Sequence, residues 1–373
     1  MKNINVLQIS KLSLPAIGGI ERVVQQIAEG LNDRTNMKVL VCQRKGKGSV
    51  ENINDVEIHK ASSWGVALSM PLSFNFFQRF NKLKKDRDIL HIHLPFPLAD
   101  VALCLFGFEG KVVLWWHSDV VRQKRLLLFY KPFLMRLLKR ADLITVATEG
   151  HITGSDYLPA FRDKCVIIPY GLNDKILQKA DLYQPLDKDV SMPVQFLFVG
   201  RLAYYKGVDV LLNAFSTVTG AELVIVGDGP LEAQLKSQAK QLKIENNVRF
   251  AHGVKDDELP RYYAKCDVFV LPSVMKSEAF GLVQLEAMAF GKPVINTSLP
   301  GGVPYVSINA RTGLTVPPSD VSALVNAMQK LVNDPTLRKQ YGKAAHKRVR
   351  DAFSTKVMMN RLLEQYRKLL AGT

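Results

Sequence analysis

Cysteine is scarce in this 373-residue chain. Cys42, Cys104, Cys165 and Cys266 stand far apart, with no CxxC pair and no metal-ligand spacing. That argues against a disulfide scaffold or a thiolate metal centre and leaves four small hydrophobes of a reducing compartment. Long apolar runs are missing too. No stretch approaches the roughly 18 apolar residues a membrane-spanning helix needs. The opening run Ile4–Ile9 is too short for the apolar centre of a signal peptide and predicts a first strand instead. No GxGxxG is present, which argues against a dinucleotide fingerprint. Acid is in short supply: 34 Asp and Glu face 50 Lys and Arg, for a net charge of +16. Residues 1–180 carry 26 of the bases and 16 of the acids, a balance of +10, so the remainder carries +6. Such a chain attracts polyanions of every kind, from nucleic acid to anionic lipid to nucleotide phosphate. A nucleic-acid-binding protein is disfavoured, because no RRM, KH or helix-turn-helix pattern accompanies the charge.

What is present is a globular balance, 47% apolar and 23% charged, on a chain long enough for two domains. Strand-like and helix-like segments alternate, the pattern of βαβ units and parallel sheets. The first half predicts strands at Ile4–Ser10, Lys38–Gln43, Asp88–Leu94, Lys111–Trp116, Asp142–Ala147 and Cys165–Pro169, with helices at Ile20–Leu31 and Arg122–Leu138. The polar, proline-bounded stretch Gly171–Pro193 reads as a link, with the linker proper at 181–193. Strands then resume at Val194–Val199, Glu222–Val226, Val248–Ala251, Val268–Leu271 and Pro293–Asn296. Helices are predicted at Gly207–Thr217, Leu231–Leu242, Asp256–Ala264 and Leu282–Phe290, and the chain is mostly helical from Ser319. The expectation is a first domain over 1–180, a second over 194–352, and a C-terminal helix at 353–373 packing back on the first. Two doubly wound domains facing across a cleft are the simplest architecture, with ligand at the carboxyl ends of the strands.

Several clusters can carry chemistry. Ser277-Glu278-Ala279-Phe280-Gly281-Leu282 follows an apolar strand and opens a helix that holds Glu286. A helix N-terminus offers free amides to an oxygen-rich ligand, and carboxylates accept from sugar hydroxyls. The bland alternative is a carboxylate at the helix dipole and another in solvent. Arg201 and Lys206 follow the strand that opens the second half. Arg clamps phosphate bidentately and Lys acts as a point charge, although taken singly they read as solvated cations. Gly18-Gly19 lies in the loop after the first strand, permitting close approach of backbone to phosphate. Gly227-Asp228-Gly229-Pro230 is a turn with Pro near a helix start.

In this order, these elements resemble the retaining glycosyltransferases of family 4, with the GT-B fold: α/β, two Rossmann-like doubly wound parallel-sheet domains. The resemblance covers essentially the whole chain and includes the Glu-x7-Glu pair Glu278 and Glu286, Gly291-Lys-Pro-Val-Ile and Gly313-Leu-Thr-Val. It implies that Arg201 and Lys206 clamp the donor diphosphate. It implies that Glu286 binds ribose hydroxyls and that Glu278 faces the transferred sugar beside the amides of Phe280, Gly281 and Leu282. Gly18 and Gly19 match the loop closing over the phosphates, and Gly253 and Val254 fall where the family contacts the base. His117 matches the active-site histidine that contacts the donor sugar, and Asp119 beside it is expected to orient it or meet the acceptor. Retention implies a front-face transfer, in which the acceptor attacks on the side the nucleotide leaves, with no covalent enzyme nucleophile, unlike retaining glycosidases.

No metal is expected, because the cationic clamp supplies what a divalent ion would. Asp86-Arg87-Asp88 has the DxD form of another glycosyltransferase fold but reads as a surface turn. His91 and His93 are taken to face opposite sides of their strand, which argues against a two-His metal site. The segments 74–85 and 122–140 are basic and aromatic; the second carries seven Lys/Arg and no acid. They are read as a membrane-facing acceptor side that includes Lys82, Lys84, Lys85 and Arg122, against the alternative of ordinary amphipathic helices.

The segments around His117 and Tyr204-Tyr205-Lys206-Gly207 resemble bacterial O-polysaccharide mannosyltransferases that use GDP-mannose, with UDP-glucose, UDP-galactose or UDP-N-acetylglucosamine as alternative donors. The implied partners are that nucleotide sugar, a lipid-diphosphate-linked glycan, an anionic membrane surface and other glycan-assembly enzymes, with no nucleic acid. The implied place is the cytoplasm, at the inner face of the cytoplasmic membrane.

Overall fold

The computed structural model describes residues 4–12, 19–67, 70–119, 124–183 and 192–372, with backbone alone for 124–129. Gly18 and Arg122 lie outside the described residues, as does most of the expected linker. The chain forms two compact units, 1–170 with 355–373, and 171–354. The first unit thus ends at Tyr170, ten residues before the boundary expected at 180. Asp174–Leu182, inside the stretch first read as a link, is a helix of the second unit, capped by the Asn173 side chain, which accepts from the Lys175 amide. The C-terminal helix Thr355–Ala371 returns to the first unit.

The first unit is built on β1 (Ile4–Ile9), β2 (Thr35–Cys42), β3 (Ser49–Ile53), β4 (Val56–Ala61), the short hairpin β5 (Val66–Ala67) and β6 (Met70–Pro71), then β7 (Ile89–Leu94), β8 (Lys111–Trp116), β9 (Leu143–Val146) and β10 (Cys165–Ile167). Eight strands form one sheet in the order β10-β9-β8-β7-β1-β2-β4-β3, parallel except for the β3–β4 edge. The apolar runs Ile89–Leu94 and Lys111–Trp116 are buried along almost their full length, as parallel strands covered on both faces must be.

The second unit carries β11 (Val194–Val199), β12 (Ala221–Val226), β13 (Val248–Ala251), β14 (Val268–Leu271), β15 (Val294–Thr297) and β16 (Gly313–Val316). They form an all-parallel sheet in the order β13-β12-β11-β14-β15-β16. The chain reverses its direction of winding between β11 and β14. At such a switch point the loops beyond two neighbouring strands part, leaving room for a ligand. The corresponding reversal in the first unit falls between β1 and β7.

Candidate active site

In the second unit, the loop after β11 holds Arg201 and Lys206, and the loop after β14 holds Glu278. Both leave the sheet at its switch point. The loops touch by backbone: the Val274 amide donates to the Tyr205 carbonyl at 2.9 Å. A Cβ on Gly207 would stand 2.2 Å from the Pro272 carbonyl oxygen, and Gly207 has φ +65°, so only glycine permits this approach. Beneath them, a Cβ on Gly227 or Gly229 would meet the carbonyls of Gly200 or Leu202 at 2.0 and 2.3 Å. The Gly-Asp-Gly-Pro segment is therefore the shelf on which the clamp loop rests. Asp228 from that shelf accepts from the Gly253 amide at 3.1 Å, tying the corner of exposed Gly253 and half-buried Val254 to the same assembly.

Lys206 and Glu278, both buried, form an ion pair, and Ser273 Oγ donates to the same Glu278 oxygen at 3.2 Å. Burial alone would depress the Lys206 ammonium. The charge and hydrogen bond of Glu278 outweigh it and hold the pKa above the ordinary value. Lys206 Nζ also stands 5.5 Å from the Tyr205 ring centroid. Arg201, in contrast, is exposed. The two cations expected to act alike differ: one is fixed in a buried pair, the other is free to fold onto a ligand.

Gly281, φ +73°, is the N-cap of helix Leu282–Ala289. Phe280 is buried and meets Phe353 edge-on at 6.2 Å. Glu286 is buried too, not on an open surface, and accepts from Tyr263 Oη at 2.7 Å. Tyr263 and Ser273, which hold the two carboxylates, escaped the sequence reading. A tyrosine on an amphipathic helix and a serine after a strand carry no spacing signal.

In the first unit, His117 lies just past β8, buried, with its ring between those of His93 (5.2 Å) and Tyr170 (5.7 Å). Both ring nitrogens are engaged: Nε2 lies 2.9 Å from His93 Nδ1, and Nδ1 lies 2.6 Å from Tyr170 Oη. The polarity of this chain is fixed at its far end. The amide nitrogen of Gln8 donates to the Val24 carbonyl at 3.2 Å and faces His93 Nε2 at 2.8 Å. His93 therefore accepts at Nε2 and donates from Nδ1 to His117, which donates in turn to Tyr170. Burial pushes His91 and His117 down to about 3 and His93 well below its usual value, so all three are neutral at pH 7.

Two expectations are corrected here. His91 and His93 share one face, their rings stacked 4.7 Å apart, because residues two apart on a strand point the same way. The argument from opposite faces fails, although no group of three or more His, Cys, Asp or Glu suited to a metal occurs among the described residues. Asp119 does not orient His117. Its carboxylate accepts from Trp116 Nε1, Ser155 Oγ and the Asp156 amide at 3.1, 2.7 and 2.9 Å, which anchors the loop after β8. In the DxD segment, Asp88 accepts from the Asn5 backbone and side chain at 2.8 and 3.1 Å, a clasp at the start of β7.

Residues 17–175 match the family described as Glycosyltransferase Family 4, and residues 187–348 match Glycosyl transferases group 1. The chain is 32% identical to O-antigen chain mannosyltransferase C of Escherichia coli, covering 98% of each. It is 35% identical to a D-rhamnosyltransferase of Pseudomonas aeruginosa over 91% of this chain and 89% of that protein. This chain is a family 4 glycosyltransferase. A sucrose-phosphate synthase from Thermosynechococcus elongatus shares the transferase's fold, with a TM-score of 0.81 at 23% identity over 100% of both chains. An Anabaena protein solved in complex with UDP gives 0.77 at 18% identity, covering 98% of this chain and 100% of that one. The fold is GT-B.

The basic helices of the transferase divide by residue. In helix Asn75–Leu83, Phe76 and Phe80 belong to the core and Lys82 is exposed, as is Lys85 just past its end. Lys84 is committed elsewhere, donating to the Phe106 and Gly107 carbonyls at 2.5 and 2.8 Å to close helix Pro97–Phe106. In helix Lys124–Arg140, Leu134, Leu137 and Leu138 are buried, and Lys131, Phe133, Arg136 and Lys139 are exposed. No helix among the described residues is long and apolar enough to cross a membrane.

Proposed function

We propose that this transferase moves mannose from GDP-mannose, with retention and without a metal ion, onto a lipid-diphosphate-linked glycan at the inner face of the cytoplasmic membrane. The observation that carries the reading is the junction of the Arg201–Lys206 loop with the Glu278 loop at the β11/β14 switch point. Arg201 closes on the donor diphosphate, and Lys206, held in place by Glu278, adds a positive field from below, so charge developing on the leaving nucleotide is met by one mobile and one fixed cation. Glu278 holds Lys206 and faces the transferred sugar, and Glu286 takes the ribose hydroxyls. The departing phosphate accepts the proton of the attacking hydroxyl. The mannosyl assignment draws on the name of the Escherichia coli relative, together with the sequence around His117 and Tyr204–Gly207.

The test is product analysis with GDP-mannose against UDP-glucose, UDP-galactose and UDP-N-acetylglucosamine, in EDTA, on lipid-diphosphate acceptors. Mannosyl product from GDP-mannose alone is expected. Transfer only from a UDP-sugar, or loss of turnover in EDTA, refutes the donor or the metal-free clamp respectively. Arg201→Ala is the clean probe because the side chain is exposed: kcat/KM should fall roughly 100- to 1,000-fold with unfolding unchanged. Lys206→Ala would also strand buried Glu278, at about 3–5 kcal/mol of stability, so its kinetics alone do not decide.

A further inference from the structure

Two aromatic rings in the first unit stand mostly in solvent. Trp64 is 68% exposed and Phe74 is 70% exposed, and they meet edge-on with centroids 5.5 Å apart. They flank the β5–β6 hairpin, with exposed Val66 and Leu72 between them. The hairpin holds the rings out. Trp64 N donates to the Leu72 carbonyl at 3.1 Å, and Leu72 N donates to the Gly65 carbonyl at 2.8 Å. Ser73 Oγ accepts from the Phe76 amide at 3.0 Å, fixing the start of helix Asn75–Leu83 directly after Phe74.

A basic loop lies alongside. Gly46 and Ser63 exchange backbone hydrogen bonds of 2.8 and 3.0 Å, which sets exposed Arg44, Lys45 and Lys47 beside Trp64. Arg79 braces that loop from the helix, donating to Asn75 Oδ1 and the Ser49 carbonyl at 3.0 and 3.2 Å. No Asp or Glu occurs in residues 43–50 or 61–85. Glu51, the nearest acid in sequence to the loop, is engaged by Lys60. A Cβ added at Gly46 or Gly65 would meet nothing within 4 Å, so the chain faces open space at these two positions.

We infer that Trp64, Val66, Leu72 and Phe74 together with the Arg44–Lys47 loop form an interfacial anchor for an anionic phospholipid surface. Tryptophan suits the boundary between headgroup and acyl chain, with an apolar body and one polar N–H. Clustered cations of one sign fit a negatively charged leaflet. A protein partner fits less well, because lysine is depleted at the centre of protein interfaces and this patch has two lysines beside its aromatics. The inference deepens the membrane placement proposed above and names a surface apart from the lysines of the two basic helices. It assigns no part of glycosyl transfer to these residues.

The experiment uses the full chain and vesicles of phosphatidylcholine with and without phosphatidylglycerol. The chain has three tryptophans, and Trp115 and Trp116 are buried, so a change in emission on vesicle binding reports on Trp64. With phosphatidylglycerol present, emission should shift to the blue and be quenched by acyl-brominated lipid. The double variant Trp64→Ser, Phe74→Ser should partition at least about tenfold more weakly. Lys45→Gln with Lys47→Gln should weaken binding by a similar factor at low salt and little at high salt. Both variants should turn over a water-soluble acceptor at the wild-type rate.

Binding with Trp64 emission unchanged and unquenched would overturn the anchor while leaving the membrane placement standing, with Lys82 and Lys85 the next surface to test. Equal binding to phosphatidylcholine alone would overturn the anionic preference. Absence of vesicle binding would overturn both the anchor and the membrane placement. Dimerisation abolished by Trp64→Ser, without vesicle binding, would assign the patch to a second copy of the chain and overturn the lipid reading.

Discussion

Gln8 occupies a position in β1 where a parallel strand covered on both faces ordinarily carries an aliphatic residue. Its amide sets the direction of the Gln8–His93–His117–Tyr170 chain, and the signal for it was in the sequence: one polar residue in an apolar strand and two histidines two apart in another. The alternation of β7 was misjudged, and that concealed the stack. The neutral histidines have a pH consequence whose sign follows from their depressed values. Unfolded imidazoles take up protons near 6.5 and the folded ones do not, so stability is full above about 6.5 and is lost as pH falls toward about 3. Gln8→Glu keeps the shape and puts a carboxylate where the amide donated. The introduced carboxylate accepts from His93 Nε2, and the pair retains one proton in the folded state. Between about pH 4.3 and 6.5 the stability–pH slope should therefore flatten by one proton, about 1.4 kcal/mol per pH unit. Above 6.5 stability should instead fall with rising pH. Imidazole nitrogen NMR should show His93 and His117 protonated at Nδ1 in the wild type, and His93 protonated at both nitrogens in the variant. A wild-type His93 with its proton on Nε2 refutes the assigned direction.

At the scale of elements, the long apolar strands were legible because burial on both faces leaves an unmistakable run. The short pieces were not. The two-residue strands β5 and β6 contain too few residues to establish a period, and helix Pro97–Phe106 is too uniformly apolar to show one, whereas the six-residue β4 does alternate, Val56 and Ile58 buried about Glu57, and was overlooked. Helix Asp174–Leu182 was hidden by its polar composition, although Asn173 offered a cap signal. The motif loops were legible by order and spacing, but their contacts were not: nothing in Gly207 announces that its missing side chain admits Pro272. Gly207→Ala should test that contact. The left-handed backbone costs alanine about 1–2 kcal/mol, and the 2.2 Å encounter with the Pro272 carbonyl forces the two loops apart. The expected outcome is a folded protein by circular dichroism whose kcat/KM falls at least about tenfold, because the Arg201–Lys206 loop leaves its place beside Glu278. Wild-type kinetics in this variant would mean the junction of the loops does not matter to transfer.

Across the whole molecule, chain order and structural unit part company at the C-terminus. Helix Thr355–Ala371 completes the first unit only after the second has been built. It buries Met358, Met359, Leu362, Leu363 and Tyr366, with Tyr366 Oη 2.5 Å from His91 Nδ1. The helix Gly19–Leu31 meets it closely. A Cβ on Gly30 would stand 2.9 Å from Met359 Cγ, Gln26 donates to Thr355 Oγ1 at 2.6 Å, and Arg34 donates to Asn360 Oδ1 at 2.8 Å. All three tryptophans, Trp64, Trp115 and Trp116, lie in the first unit, so tryptophan emission follows that unit's unfolding. A chain ending at Ser354 should lose about 5 kcal/mol or more in the tryptophan-reported urea transition, since each large apolar side chain contributes about 1.5–3 kcal/mol as an upper estimate. If that leaves the first unit unfolded, Met359→Ala provides a graded version, with about 2–4 kcal/mol lost in the same transition. Binding of GDP, which the proposed site draws from the second unit's loops, should stay within a few fold of wild type in Met359→Ala. The pairing of a shifted tryptophan transition with retained nucleotide affinity is the signature of a helix that belongs to the first unit. A tryptophan transition unmoved by either change would refute that membership.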